Sequence, residues 1–289
     1  MSGGMSESRH IQLLGTGAGD ANFGLPDAAN LPLKDQRRFI TNHLTPDLLI
    51  DFNHHTPGAL ETFGIDPATI QYLLISHGHF DHFQPLEIIR FAASLPHPLK
   101  VFGNSMVIDT LELCRDTVYN ETTGRFAARQ EACNFESTKL VVGSPLDIGS
   151  VHVTPLHGNH SMNKKYCIMD EQALNFVVRV GDKTIFYGLD SSYMMPATLA
   201  QMAGTHLDLA IMDATFGPRV IDPAVSGHHN WVMLDETLDD LRAGGCIDEQ
   251  TVIVADHLSC GNVGPHEPMA QEQARKGITV AYDGLVLPL

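Results

Sequence analysis

The segment Ser76-His77-Gly78-His79-Phe80-Asp81-His82 constrains this chain more than any other. It follows Tyr72-Leu73-Leu74-Ile75, an apolar run that reads as a buried strand. Three imidazoles and a carboxylate thus fall between His77 and His82, where a strand ends and the chain turns. Nitrogen and oxygen donors at that density suit zinc, manganese or iron rather than calcium. Gly78 gives the backbone freedom for a tight turn between donors. Alternate residues of a turn can face His77 and His79 one way and Asp81 and His82 another. One short loop can therefore serve two metal ions.

Around this loop the pattern alternates. His10 to Leu14 reads as a first strand, followed by Gly15-Thr16-Gly17-Ala18-Gly19. That glycine run reads as a plain turn rather than a phosphate loop, because no amphipathic helix and no Gly-Lys-Ser/Thr follow it. Residues 20–37 read as loop. Residues 39–42 and 48–52 form a hairpin turning at Thr45-Pro46-Asp47. His54 and His55 precede Thr56-Pro57, a helix start. The spacing predicts helices over 85–94, 107–119, 230–241 (with Asn230 as cap) and 267–275. It predicts strands over 99–102, 139–142, 151–156, 173–180, 183–187, 207–212, 251–255 and 278–282. Residues 120–137 are polar and unpatterned, a loop or a lid. Periodicity alone gives mixed α and β.

The histidine loop resembles that of the metallo-β-lactamase superfamily of binuclear metal hydrolases. The resemblance runs from Leu14-Gly15-Thr16-Gly17 to the closing Ala281-Tyr282-Asp283-Gly284. It implies an α+β fold, the four-layer αββα sandwich, over residues 1–289 as a single domain, with residues 1–8 flexible. It also implies a later His, Asp and His, each at a strand end. Spacing alone leaves His157 and His160 as rivals; Asn159-His160-Ser161 resembles the phosphodiesterases of the family and favours His160. Asp190, ending Phe186-Tyr187-Gly188-Leu189, is favoured over Asp213 as the bridging ligand, with Asp213 in a supporting role. His257 follows the strand at 252–256. The implied set is His77, His79 and His160 on one ion, and Asp81, His82 and His257 on the other, with Asp190 bridging. The implied cofactors are two divalent ions, Zn2+ or Mn2+.

Several cues point to phosphodiesters. Asp stands at 190, where zinc-dependent β-lactamases commonly carry Cys. The closing Ala-Tyr-Asp-Gly resembles the tRNA 3′-processing ribonucleases. Gly227-His228-His229-Asn230 resembles the catalytic segment of the phosphoribosyl cyclic phosphate phosphodiesterases, which gives His228 the catalytic role and His229 the alternative, both binding substrate. Residues 20–37 lack cysteine, so no structural zinc of the kind some relatives carry is expected. Asp81 would orient a water or take its proton, and His228 would donate a proton to the leaving oxygen.

Composition narrows the partners. The 289 residues carry a net charge of −16, which repels long polyanions and counts against RNA or DNA. Two divalent ions against two ligand aspartates still leave a pocket that favours a small anion. No apolar run approaches the ~20 residues of a membrane helix. Five scattered cysteines and no apolar leader make a reducing cytoplasm the expectation. The expected partner is a small phosphodiester, with neither nucleic acid nor membrane; a homodimer is compatible with this profile. Competing readings are a tRNA 3′-end endonuclease, a lactone or thioester hydrolase, and a non-catalytic relative that binds metal and ligand.

Overall fold

The computed structural model describes residues 10–120, 122–130, 133–161, 172–223 and 226–289. The N-terminal stretch expected to be flexible and Cys167 lie outside them.

The first half contributes β1 (His10–Gly15), β2 (Thr41–Thr45), β3 (Leu48–Ile50), β4 (Tyr72–Leu74) and β5 (Leu99–Gly103). It also holds α1 (Thr56–Thr62), α2 (Pro85–Ser94) and α3 (Ser105–Asp116). A short hairpin, β6 (Thr117–Asn120) and β7 (Arg125–Ala128), precedes β8 (Phe135–Lys139). The second half contributes β9 (Leu146–Ile148), β10 (Val151–Ser161), β11 (Gln172–Val180), β12 (Lys183–Gly188), β13 (Leu209–Asp213), β14 (Val252–Asp256) and β15 (Ile278–Val280). Its helices are α4 (Pro196–Met202), α5 (Trp231–Ala243) and α6 (His266–Ala274), and β16 (Val286–Pro288) ends the chain.

Two seven-stranded sheets result, in the orders β16-β1-β2-β3-β4-β5-β8 and β15-β14-β13-β12-β11-β10-β9. Their facing surfaces bury Ile11, Leu13, Leu48 and Ile50 against Val153, Phe176, Val178 and Ile185. Alternation along β11 sends Phe176 and Val178 to this layer and Val177 to the opposite face. Helices α1 to α3 cover the outer face of the first sheet, with Leu60, Ile88, Phe91 and Leu111 packed near Leu73 and Val101. On the second sheet α5 and α6 do the same, setting Leu234, Leu238 and Met269 against Ala210, Met212 and Ile253. Alternating apolar positions on the strands and 3.6-residue spacing on the helices thus produce the αββα layering, as expected.

The central strands β3, β4, β5 and β8 run parallel, as do β12 to β15. Parallel pairing lines up their carboxyl ends on one rim, where open α/β sheets place ligands. The glycine run closes that rim by tight packing. A Cβ on Gly15 would sit 2.0 Å from the Phe39 carbonyl oxygen, and one on Gly17 would sit 2.8 Å from the Ala21 side chain. Asp283 ties the closing segment to the same loop, accepting from Thr16 N (3.0 Å), Thr16 Oγ1 (2.8 Å) and Arg38 N (2.8 Å).

Several boundaries differ from the sequence expectation. The helix expected to reach 119 stops at Asp116, because the β-branched and aromatic run Thr117-Val118-Tyr119 pairs with Phe126 to Ala128. The strand expected at 139–142 lies at Phe135–Lys139, in register with Leu99–Gly103. The short elements β9, α4 and β16 carry too little periodicity to be read from the sequence. The described hairpin within 120–137 does not stand where a lid over the rim would. Helix α3 leaves the rim end of β5 and β8 re-enters at the far end, so the hairpin between them lies at the end of the sheet opposite the rim. Among the described residues no helix is long and apolar enough to cross a membrane.

The layering predicts a sharp contrast in stability. Phe176→Ala, between the sheets, should cost about 3–5 kcal/mol in denaturant unfolding. Phe126→Ala, on the hairpin and 72% exposed, should cost under about 0.5 kcal/mol. Equal costs would mean the hairpin is part of the core.

Candidate metal centre

Each donor enters from a carboxyl end on the rim or from a loop beside it. The turn after β4 delivers His77, His79, Asp81 and His82; β10 delivers His160; the ends of β12 and β14 deliver Asp190 and His257. All seven converge. His77 Nε2 lies 2.9 Å from His79 Nδ1 and 2.8 Å from Asp190 Oδ2. His160 Nε2 lies 3.0 Å from His79 Nδ1. On the other side His82 Nε2 is 3.1 Å from His257 Nε2 and 3.0 Å from Asp190 Oδ2, and Asp81 Oδ2 is 3.3 Å from His257 Nε2. The donor atoms of His77, His79, His160 and Asp190 all lie within 4.8 Å of one another, as do those of Asp81, His82 and His257.

This donor set fits two divalent cations. Three imidazole nitrogens face one another in the first group, with His79 Nδ1 2.9 Å from His77 Nε2 and 3.0 Å from His160 Nε2, and one imidazole N–H can serve only one such contact well. Donors 2.0–2.2 Å from a common ion stand roughly 3–3.6 Å apart, the spacing seen here. Asp190 Oδ1 is buried against the His257 imidazole, 3.0 Å from Nδ1, without the geometry of a good hydrogen bond. Asp190 faces both groups, with Oδ2 2.8 Å from His77 Nε2 and 3.0 Å from His82 Nε2 and Oδ1 3.0 Å from His257 Nδ1, so its carboxylate is placed to be shared by two ions.

A further layer of residues aims the donors. Asp51, at the end of β3, accepts from Ser76 N, Ser76 Oγ and Tyr187 Oη, and its Oδ2 lies 2.8 Å from His82 Nδ1. That turns His82 Nε2 inward. His160 Nδ1 donates to the Gly227 carbonyl at 2.8 Å, and a Cβ on Gly227 would approach that nitrogen to 2.4 Å. Position 227 therefore has to be glycine. Thr215 Oγ1 holds His257 Nδ1 at 2.8 Å. Asp51, Asp190 and His257 all have positive φ (62°, 47° and 59°), a left-handed conformation that non-glycine residues adopt at some cost. The sequence reading missed Asp51 and Thr215. An aspartate directly after Leu49-Ile50 was the available signal.

The histidine rivals separate clearly. His157 is exposed and takes no part, whereas His160 is buried among the donors. Asp213 sits beside the donors: its Oδ2 lies 2.9 Å from His228 Nδ1, its Oδ1 accepts from His229 N, and with Asp190, His228 and His257 it forms a third group of potential ligands within 4.8 Å of one another. His228 stacks on His257 (5.4 Å, 17°) and lines a cavity of about 380 Å3 with His79, Asp81, Asp190, Phe80 and Phe216. His229 turns inward instead. It is fully buried with Nε2 2.9 Å from Thr237 Oγ1, and burial lowers its pKa to about 4. The expected substrate contact by His229 is thus not what its placement offers. His54 and His55 touch none of the donors; they pack on Phe39.

The two donor groups differ in charge. Burial, together with neighbouring imidazoles, lowers the pKa of His77 and of His160, and takes His79 to about 4. Burial opposes charge on His82 as well, but Asp190, Asp51 and Asp81 outweigh it and raise its pKa to about 10. Burial is likewise outweighed at His257, chiefly by Asp190, and its pKa is raised.

Filling the His77/His79/His160 end should therefore displace no imidazole protons near neutral pH. Filling the Asp81/His82/His257 end should expel them, and affinity there should climb as the pH rises toward about 10. Calorimetric metal titrations in buffers of different ionisation enthalpy would reveal this, and buffer-independent heats for both ions would contradict it. Gly227→Ala and Asp51→Asn should each weaken metal binding by about 10–100-fold. His82→Ala should lose metal and activity together.

The chain matches the model of the beta-lactamase superfamily domain over residues 46–247. It is similar to the metallo-beta-lactamase fold protein YhfI from Bacillus subtilis, with 18% identity, a TM-score of 0.67, and 98% of this chain and 100% of that chain covered. It is also similar to Zn2+-bound PqqB from Methylobacterium extorquens (15% identity, TM-score 0.69, 97% and 100% covered). The short form of human tRNase Z gives 17% identity and a TM-score of 0.63, with 96% and 98% covered. No curated protein matches in sequence. With its domain match, its sandwich and its seven converging donors, the chain belongs to the beta-lactamase superfamily of metal-dependent hydrolases.

Proposed function

We propose that the chain is a binuclear metal-dependent phosphodiesterase acting on a small phosphodiester, a cyclic sugar phosphate being one candidate. The observation that carries this reading is His228, held by Asp213 at 2.9 Å and Thr215 at 3.1 Å, on the wall of the cavity above Asp190. With Nδ1 engaged there, Nε2 is the nitrogen available to give a proton to a leaving oxygen or to hold a phosphoryl oxygen. An ester of phosphorus offers both kinds of oxygen at once.

His77, His79 and His160 would hold one ion and Asp81, His82 and His257 the other, with Asp190 between them. Ions held there would supply Lewis acidity and bring the pKa of a shared water toward neutrality. Asp81 also lines the cavity, so its carboxylate is placed to orient the attacking water or accept its proton. Phe80 and Phe216 border the same cavity. About 380 Å3 suits a small ester rather than a polymer. The charge of −16 supports the same choice over a tRNA substrate.

Two structural relatives bear on the substrate. One is described as a diphosphatase of the PhnP family, at 18% identity and a TM-score of 0.64, covering 97% of each chain, and the other is the tRNase Z above. Both names support phosphorus over carbon as the centre attacked. The free thiols Cys114, Cys133, Cys246 and Cys260 support a reducing, cytoplasmic setting.

His228→Ala should keep both ions and lose turnover of bis(p-nitrophenyl) phosphate by a factor of about 10² or more. Lactones should not be hydrolysed by the native protein. Full activity in His228→Ala would remove its assigned role, and lactone turnover without diester turnover would overturn the reading itself.

A further inference from the structure

The cavity carries two rings that play no part in holding metal. Phe80 stands between the donors His79 and Asp81, yet its side chain is 57% exposed. Its position is nonetheless fixed. The Phe80 carbonyl accepts from Gln84 Nε2 at 2.8 Å, and the ring meets the edge of Phe39 at 5.3 Å and 87°. A Cβ on Gly19 would come within 3.3 Å of the ring, so the absence of a side chain there makes its seat. Phe39 is backed in turn by His55 at 4.9 Å and His54 at 5.3 Å. The histidine pair that takes no part in the metal centre thus ends an aromatic stack that runs to the cavity mouth.

The second ring comes from the other sheet. Phe216 follows β13, meets His228 edge-on at 5.6 Å and 80°, and is pinned by its own N–H to the His229 carbonyl at 3.0 Å. Its outer side lies near the Arg219 guanidinium, 6.0 Å from the ring centroid. One phenyl from each half of the sandwich therefore borders a single cavity. Phenyl faces do nothing for a phosphate group. They do bind flat rings, by stacking or edge-to-face contact, and the gain is roughly tenfold per ring.

We propose that Phe80 and Phe216 make this cavity selective for phosphodiesters whose ester group carries an aromatic or heteroaromatic ring. The inference rests on the phosphodiesterase reading for its substrate, but the selectivity can be read without turnover.

Metal-replete protein would be titrated calorimetrically with phenylphosphonate and with methylphosphonate. The native chain should bind the phenyl compound about tenfold more tightly. Phe80→Leu, which keeps an apolar side chain but no ring, should bring that ratio to within about twofold, and Phe80→Tyr should restore it. Metal content is checked in each variant, and Phe216→Leu carries the same comparison should Phe80→Leu lose metal. A native ratio near one, or a ratio unchanged in the leucine variants, overturns the proposal. Phenyl p-nitrophenyl phosphate and methyl p-nitrophenyl phosphate share one leaving group and separate the two claims. Hydrolysis of both without preference removes the aromatic selectivity alone, whereas hydrolysis of neither removes the phosphodiesterase reading.

Discussion

Four buried carboxylates, Asp51, Asp81, Asp190 and Asp213, surround a point between the two sheets, and among the described residues their ion-pair partners are histidines rather than lysine or arginine. Burying that much like charge is costly unless cations answer it. The carboxylates raise the pKa of His82 and His257, whereas burial and neighbouring imidazoles lower that of His77, His79 and His160. Divalent ions would answer that buried charge, each meeting several donors at once. The remainder of the rim follows from this one requirement.

The sandwich meets the requirement through topology. Parallel strands in both sheets end on the same rim, so donors far apart in sequence arrive within hydrogen-bond distance: His82 and His257 are separated by 175 positions. Three of the arriving residues, Asp51, Asp190 and His257, need a left-handed backbone to aim their side chains. Such conformations cost on the order of 1–3 kcal/mol each, and they persist because the surrounding core over-determines them. Gly227 makes the same point from the other direction, since only the absence of a side chain lets its carbonyl hold His160.

How much of this the sequence discloses depends on whether the cause is local. The donors at His77 to His82 are adjacent in the chain and follow a plain strand, so they can be read directly. His160, Asp190 and His257 stand at the ends of β-runs, but the family resemblance, not the spacing, favours His160 over His157 and Asp190 over Asp213. Asp51 and Thr215 are not legible, since their roles come from contacts with His82 and His257 across the fold. His228 and His229 look equivalent on paper. Only the register of Asp213, which holds the ring of the first and the backbone of the second, separates them. The helix at 107–119 was overextended because the pairing of Tyr119 with Phe126 is decided by the strand opposite, not by helical spacing.

The central claim is that the two donor groups sharing Asp190 would hold two cations. Anomalous diffraction from crystals grown with a slight excess of zinc tests it most directly. Two peaks per chain are predicted, one bounded by His77, His79 and His160 and one by Asp81, His82 and His257, each within about 2.0–2.2 Å of an Asp190 carboxylate oxygen. A single peak, or two peaks that leave Asp190 without metal contact, would contradict the account.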